Sequence, residues 1–200
     1  MPSELGLLDS FNVLKDFPIV KTTIIEKKID LMNINYPCYI KVDSYIHKKQ
    51  NGGVFFCDDK SSGENAFDKI KTNFPENKIV YQEVVNGLKI IIGIKKDNVF
   101  NKVIMFGEGG SNLDEKNIVF RTINMNRTEI SKMFKDLKIG REISLYRHKE
   151  KLISLVEMVS YFARYNNIEE MDLNPVILSD KGPLIVDARI KNGWSKKDLE

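Results

Sequence analysis

Residues 169–178 read EEMDLNPVIL and residues 184–190 read LIVDARI, with Ser179-Asp180-Lys181-Gly182-Pro183 between them. The flanking stretches are aliphatic and β-branched, and the connection has the composition of a turn. The pattern predicts two strands, Glu170 to Leu178 and Leu184 to Ile190. Residues two apart on a strand share a face. Asp172 and Asn174 therefore share a face of the first strand, and Asp187 and Arg189 a face of the second. If the strands pair, three oxygen-bearing side chains and an arginine converge. Hard oxygen ligands suit magnesium where it bridges nucleotide phosphates, and an arginine stabilises charge on a transferring phosphoryl group. Carboxylates among Leu173, Val186 and Ile190 are costly unless satisfied or exposed. The same feature on two strands points to a site, although a solvated face would also satisfy the rule.

A second candidate lies upstream. Residues 36–58, YPCYIKVDSYIHKKQNGGVFFCD, read as strands at Tyr36 to Val42 and Gly53 to Cys57 around a loop with His47, Lys48, Lys49, Gln50, Asn51, Gly52 and Gly53. Lysines attract anions, and glycines let backbone N–H groups approach them. An imidazole accepts a transferred group near neutral pH because much of it is unprotonated. Lys41, on the strand entering the loop, would be a fixed cation for a polyphosphate. A polar hairpin tip with solvated lysines fits the composition equally well. Cys38 and Cys57 face each other if this hairpin pairs, and read as buried free thiols; neither number nor spacing supports zinc.

The rest of the chain alternates short strands and helices. Helices are expected at 7–15, 28–33, 64–72, 128–134 (capped by Thr128) and 150–165. Strands are expected at 20–25, 78–85, 89–95, 103–106 and 118–122, with IIIGI in the third of these buried on both faces. Ser61-Ser62-Gly63 reads as a turn, His148 as a surface residue and Asn192 to Glu200 as a polar tail. Gly107-Glu108-Gly109-Gly110-Ser111 is either a phosphate loop or a bare one; no Gly-Lys-Ser/Thr follows, so it is not a Walker A loop. Gln82-Glu83-Val84-Val85 leads into a turn at Asn86-Gly87, where backbone groups can bind an adenine edge. The fold class expected is α+β: one domain over 1–200 with largely antiparallel sheets flanked by helices, in two lobes at roughly 18–85 and 86–192, the 7–15 helix packing on it.

Composition narrows the function classes. The 200 residues are 42% hydrophobic and 30% charged, which is a folded globular balance. The net charge of +3 would suit a nucleotide polyphosphate and is too small and dispersed to argue for nucleic acid. No apolar run approaches the roughly 18 residues of a membrane span, and the first residues lack a basic-then-apolar leader. The expectation is a cytoplasmic protein without a membrane partner.

Taken together, YPCYIKV with Lys41, His47-Lys48 before Gly52-Gly53-Val54, VYQEVV, IIIGIKKD, VIMFGEGG, FRTINM and the paired DLNP and VDARI segments resemble the ATP-grasp β subunit of archaeal ADP-forming acetyl-CoA synthetases, related to succinyl-CoA synthetase β subunits. The resemblance implies an ATP-grasp fold with ATP or ADP and Mg2+ held between two lobes. It implies the reaction acyl-CoA + ADP + phosphate ⇌ acid + CoA + ATP, run with an α subunit that holds CoA and a first phosphohistidine, in an α2β2 assembly. By residue, it implies His47 as the second phosphohistidine, Asp172 beside it, Arg189 as a motif arginine, and Asn174 and Asp187 as metal ligands. Lys41, Gly52, Gly53, Val54, Glu83 and Val85 would contact nucleotide. The chain departs from the family at the histidine loop, which is shorter and has Lys49-Gln50 after His47-Lys48, and at Gly87-Leu88-Lys89 where the family has Gly-Arg-Glu. A divergent, non-catalytic nucleotide-binding regulatory subunit is the second reading.

Overall fold

The computed structural model describes residues 3–44, 52–110 and 117–193. In chain order the elements begin with β1 (Ser3–Leu5), α1 (Leu7–Val13), β2 (Thr22–Ile25), a 3-10 turn (Lys28–Met32), β3 (Cys38–Val42), β4 (Val54–Cys57), α2 (Lys60–Asn73) and β5 (Ile79–Glu83). They continue with β6 (Leu88–Asp97), β7 (Asn101–Glu108), β8 (Ile118–Thr122), α3 (Arg127–Lys135), α4 (Gly140–Leu145), α5 (Lys149–Tyr165), β9 (Ile168–Ser179), β10 (Gly182–Ile185) and β11 (Arg189–Asn192). Contacts divide the chain into a smaller unit, Val20–Val85 with Gly6–Leu8, and a larger one holding the chain from Asn86 together with Asp9–Ile19 and β1.

The smaller unit is a four-stranded antiparallel sheet in the order β2-β5-β3-β4. Its core joins Ile25, Leu31, Ile40, Val42, Ile79 and Tyr81 to Ala66, Phe67 and Ile70 from α2. The turn expected at Ser61 to Gly63 is instead the first turn of α2. Asp59 caps that helix, accepting from the Ser62 N–H at 2.8 Å, while the Ser62 hydroxyl oxygen accepts from the Asp59 N–H at 3.0 Å. A reciprocal cap outweighs the turn preference of Ser-Ser-Gly, because it satisfies donors that the helix leaves open.

The larger unit is a sheet in the order β1-β11-β9-β6-β7-β8, with β10 also paired to β9, and every ladder antiparallel. Ile90, Ile91, Ile92 and Ile94 are each at most 1% exposed, so β6 is buried on both faces as its apolar run predicts. Each such burial contributes on the order of 1.5–3 kcal/mol. That outweighs the roughly 0.5–1 kcal/mol cost of Gly93 in mid-strand. Phe106 of β7 packs on Phe134 of α3 with ring centroids 4.7 Å apart. Of the apolar stripe expected on α5, Leu152, Ile153, Leu155, Val156 and Val159 are buried and Phe162 is half-buried.

Three local expectations are corrected. The N-cap of α3 is Asn126, not Thr128: its carboxamide accepts from the Glu129 N–H at 3.0 Å, and the Glu129 carboxylate accepts from the Asn126 N–H at 2.8 Å. The strand expected over Leu184 to Ile190 is split into β10 and β11 by residues 186–188. Asn192 is a fully buried residue of β11 and no part of a tail; residues 194–200 lie outside the described residues. His148 is at the surface as expected, partly exposed at the start of α5, with Nε2 2.6 Å from the Asp180 carbonyl oxygen. At the other end of α5, the Lys102 ammonium donates to the carbonyls of Ala163 (2.5 Å) and Asn166 (3.0 Å), and burial lowers its pKa. No helix among the described residues is long and apolar enough to cross a membrane.

Candidate functional site

The candidates on the larger unit come together through sheet register. Arg189 lies opposite Asp172, and Ile185 opposite Val176. The register is the same on both sides of the gap between β10 and β11, so Asn174 lies opposite Asp187; the Val186 N–H donating to the Pro175 carbonyl at 3.2 Å agrees. Cross-strand partners share a face. Asp172, Asn174, Asp187 and Arg189 are therefore neighbours on one face, all half-buried. Met171 and Leu173, which alternate with the first two, are buried in the core.

The ladder is irregular where these residues sit. Against β6, the register of β9 shifts between Ile90 and Ile92, so β9 carries one extra residue at Asn174-Pro175. A bulge of this kind re-aims a side chain, and proline has no N–H to give to a ladder. The Asn174–Pro175 peptide is cis. The hairpin end is held from outside: the Tyr146 hydroxyl donates to the Ser179 carbonyl at 2.8 Å and the Lys151 ammonium to the Lys181 carbonyl at 3.0 Å. Arg189 also lies 3.6 Å from the Glu170 carboxylate, and the Ala188 N–H donates to Asp187 Oδ1 at 3.1 Å.

The glycine-rich segment adds to this face. The Gly109 N–H continues the β6–β7 ladder by donating to the Lys89 carbonyl at 2.9 Å. Gly110 then leaves the ladder with φ +122°, and its N–H donates to Asn174 Oδ1 at 2.9 Å. Asn174 Nδ2 donates back to the Gly110 carbonyl at 3.4 Å. Glu108 accepts from Asn117 Nδ2 at 2.6 Å. By composition this segment is either a phosphate loop or a bare loop. Its contact with Asn174 was not legible, because it depends on Gly110 reaching past β6 to β9.

Asn174 Oδ1 and the Asp187 carboxylate are hard oxygen donors, and this donor set fits Mg2+. Among the described residues no three His, Cys, Asp or Glu side chains cluster as a metal cage.

The candidates on the smaller unit are placed separately. Lys41 is 5% exposed in β3, with Nζ 5.7 Å from the Tyr39 ring centroid. Gly52 has φ +65°, a left-handed conformation that glycine adopts without cost. The Gly53 carbonyl accepts from the Val42 N–H at 2.8 Å, and Val54 opens β4 opposite Lys41. Glu83 is exposed at the end of β5, its carboxylate accepting from Asn35 Nδ2 (3.1 Å) and the Tyr81 hydroxyl (3.4 Å), and Val85 follows, half-buried. His47 lies outside the described residues. Cys38 and Cys57 are register partners, both free and fully buried; burial pushes the Cys38 thiol up to about 12 and raises Cys57 as well. A hollow of about 550 Å³ lined by Pro18, Leu155, Met158 and Pro183 is not lined by any of these candidates.

Comparison with known proteins shows the family. The ATP-grasp domain family profile matches residues 7–191, and the chain belongs to that family. It is 31% identical over 178 residues to "Acetate--CoA ligase [ADP-forming] I" of Archaeoglobus fulgidus, covering 80% of this chain and 26% of that protein. It is 27% identical over 175 residues to "Acetate--CoA ligase [ADP-forming] I subunit beta" of Pyrococcus furiosus, covering 78% of this chain and 75% of that subunit. Thus the chain spans about a quarter of the length of the Archaeoglobus relative and most of the separate β subunit. Among solved structures, the dinucleotide-forming acetyl-coenzyme A synthetase 1 of Ca. Korarchaeum cryptofilum, in complex with coenzyme A, Ca-AMPCP and HgCl+, superposes with a TM-score of 0.80 at 25% identity over 94% of this chain and 93% of that one. A second structure of that protein holds Mg-AMPPCP, with its phosphohistidine segment pointing towards the nucleotide binding site. The chain is an ATP-grasp domain homologous to β subunits of ADP-forming acetate–CoA ligases, and its mixed α/β architecture with antiparallel sheets is that of the family.

Proposed function

We propose that this chain is the nucleotide-binding β subunit of an NDP-forming acyl-CoA synthetase, acting with an α subunit that holds CoA and the first phosphohistidine, in an α2β2 assembly. The observation that carries the reading is the register of β9 against β10 and β11, which gathers Asp172, Asn174, Asp187 and Arg189 on one sheet face. Asn174 and Asp187 would hold Mg2+. An ion held there would supply positive charge to neutralise the phosphates of ADP or ATP. Arg189 supplies a fixed cation on the same face. Lys41, with Gly52, Gly53 and Val54, holds phosphate oxygens, and Glu83 and Val85 hold the nucleoside.

His47 is the proposed carrier. In the ATP-forming direction a phosphoryl group leaves a ring nitrogen of His47 for a terminal oxygen of ADP. The N–P bond breaks, the new P–O bond completes ATP, and the imidazole is left neutral with its lone pair restored. Asp172 lies beside the phosphohistidine in this scheme. Catalysis by position and charge neutralisation is enough, as the transition state asks for little else.

The test is incubation with labelled ATP and Mg2+, alone and with an α subunit. Wild type takes up an acid-labile label and His47→Ala does not; equal labelling removes His47 as carrier. The substitution of Lys49-Gln50 after His47-Lys48 favours one other reading, a regulatory subunit that binds nucleotide without turnover. That reading expects Mg-dependent nucleotide binding with no phosphohistidine under either condition.

A further inference from the structure

We infer that Gly110 is a positioning residue for the metal ligand Asn174, and that its peptide is why this position carries a carboxamide and not a carboxylate. The inference rests on the proposed role of Asn174 as a ligand. A peptide N–H only donates and a peptide carbonyl only accepts. The Gly110 N–H at 2.9 Å therefore takes the carboxamide oxygen, and the Gly110 carbonyl at 3.4 Å takes the nitrogen. The amide cannot flip without breaking both contacts and setting N–H against N–H. Oδ1 has two lone pairs; one is engaged by Gly110, and the other is left for a cation in a fixed orientation. Partners that orient a ligand in this way commonly govern metal affinity.

An aspartate here would keep an oxygen ligand and add charge. It would also set a carboxylate oxygen against the Gly110 carbonyl, where Nδ2 now donates. Charge alone predicts that Asn174→Asp tightens Mg2+ binding. The Gly110 contact predicts that it weakens it.

Gly110 can be tested without a clash. A Cβ added there meets nothing within 4 Å, yet φ +122° is a backbone conformation that side-chain-bearing L-residues rarely adopt. Gly110→Ala therefore perturbs the peptide's orientation and little else. This isolates it from its neighbour Gly109, where a Cβ would lie 2.4 Å from the Ile90 carbonyl group.

The experiment measures ADP binding to the full chain by calorimetry across a Mg2+ titration. Asn174→Ala, Asn174→Asp and Gly110→Ala are compared with wild type by the ratio of ADP affinity with and without Mg2+. We expect Gly110→Ala to lower that ratio about tenfold, the lower end of what supporting contacts to a metal ligand contribute. Asn174→Asp should also lower it several-fold despite its added charge. A ratio unchanged in Gly110→Ala while Asn174→Ala lowers it overturns the positioning role and leaves the metal site standing. A ratio unchanged in Asn174→Ala overturns both. If Gly110→Ala does not fold, Asn174→Asp decides alone, and tighter Mg2+ dependence in it overturns the inference.

Discussion

The β3–β4 hairpin and the β9–β10–β11 hairpin carry the two candidate groups, and they are built in opposite ways. The β3–β4 ladder keeps one register from Cys38↔Cys57 to Lys41↔Val54 without interruption. Its inward residues are Cys38, Ile40, Val42 and Cys57, all fully buried, while His47, the residue proposed to react, falls between the two strands in sequence and outside the described residues. The closing hairpin is broken in the middle. An extra residue in β9, a proline without an N–H and a three-residue gap in the partner fall together at Asn174 and Asp187. A regular ladder stores its side chains in a core. An interrupted one frees backbone groups and turns side chains out of the alternation, and here the interruption sits at the two oxygen donors. The first hairpin keeps its side chains in a core, while the second sets its candidate side chains at a break in the ladder.

The strongest test of this contrast concerns packing. Ile40→Ala in β3 and Ile92→Ala in β6 each remove a side chain with no exposed surface, and each should cost about 2–5 kcal/mol in denaturant unfolding. Asp187→Ala, at the half-buried break, should leave the unfolding midpoint within about 1 kcal/mol of wild type. If Asp187→Ala destabilises as much as the isoleucine variants, the break is structural and the contrast fails. On function the order reverses. Asp187→Ala should lower Mg-dependent ATP formation by on the order of 100-fold, about 2.7 kcal/mol of lost charge stabilisation, measured with an α subunit present.

A smaller effect is expected where the β3–β4 hairpin exits into α2. Asp59→Ala removes the cap and should cost about 1 kcal/mol, read as a lower unfolding midpoint. The weakest test is silent at neutral pH. The Cys38 and Cys57 thiols have folded pKa values raised by burial, so the folded state binds their protons more tightly. Their contribution is full below about pH 8.5 and declines as pH rises above it, because unfolded thiols ionise first. Stability should therefore fall from about pH 8.5 towards the raised folded values, about 12 for Cys38, and the Cys38→Ala, Cys57→Ala double variant should flatten that slope. An unchanged slope assigns the effect to other groups.

Much of this contrast was legible in the sequence. Asp172 with Asn174 and Asp187 with Arg189 could be set on common faces by counting in twos, and pairing across the turn needed only Ser179 to Pro183. The burial of β6 followed from IIIGI, and that of α5 from its stripe. The break at residues 186–188 was not legible, since LIVDARI reads as one continuous strand; it falls beside the extra residue that β9 carries against β6. For α4, the few apolar positions in Gly140–Leu145 give too little periodicity to see. For β1, Ser3–Leu5 is only three residues long, and its strand character comes from pairing with β11.

That last pairing has an architectural consequence. Ser3 lies opposite Asn192, so the first and last strands of the domain are adjacent and antiparallel at one edge of the sheet. A domain whose two ends leave from the same place can be spliced into a longer polypeptide as a cassette, with short connectors and no rearrangement inside it. The Archaeoglobus relative, of which this chain spans 26%, is a protein in which such a cassette has neighbours on the same chain. The same adjacency makes a circular permutant, with residues 3 and 192 bridged by a short linker and new ends opened elsewhere, a practical way to relocate the chain's termini.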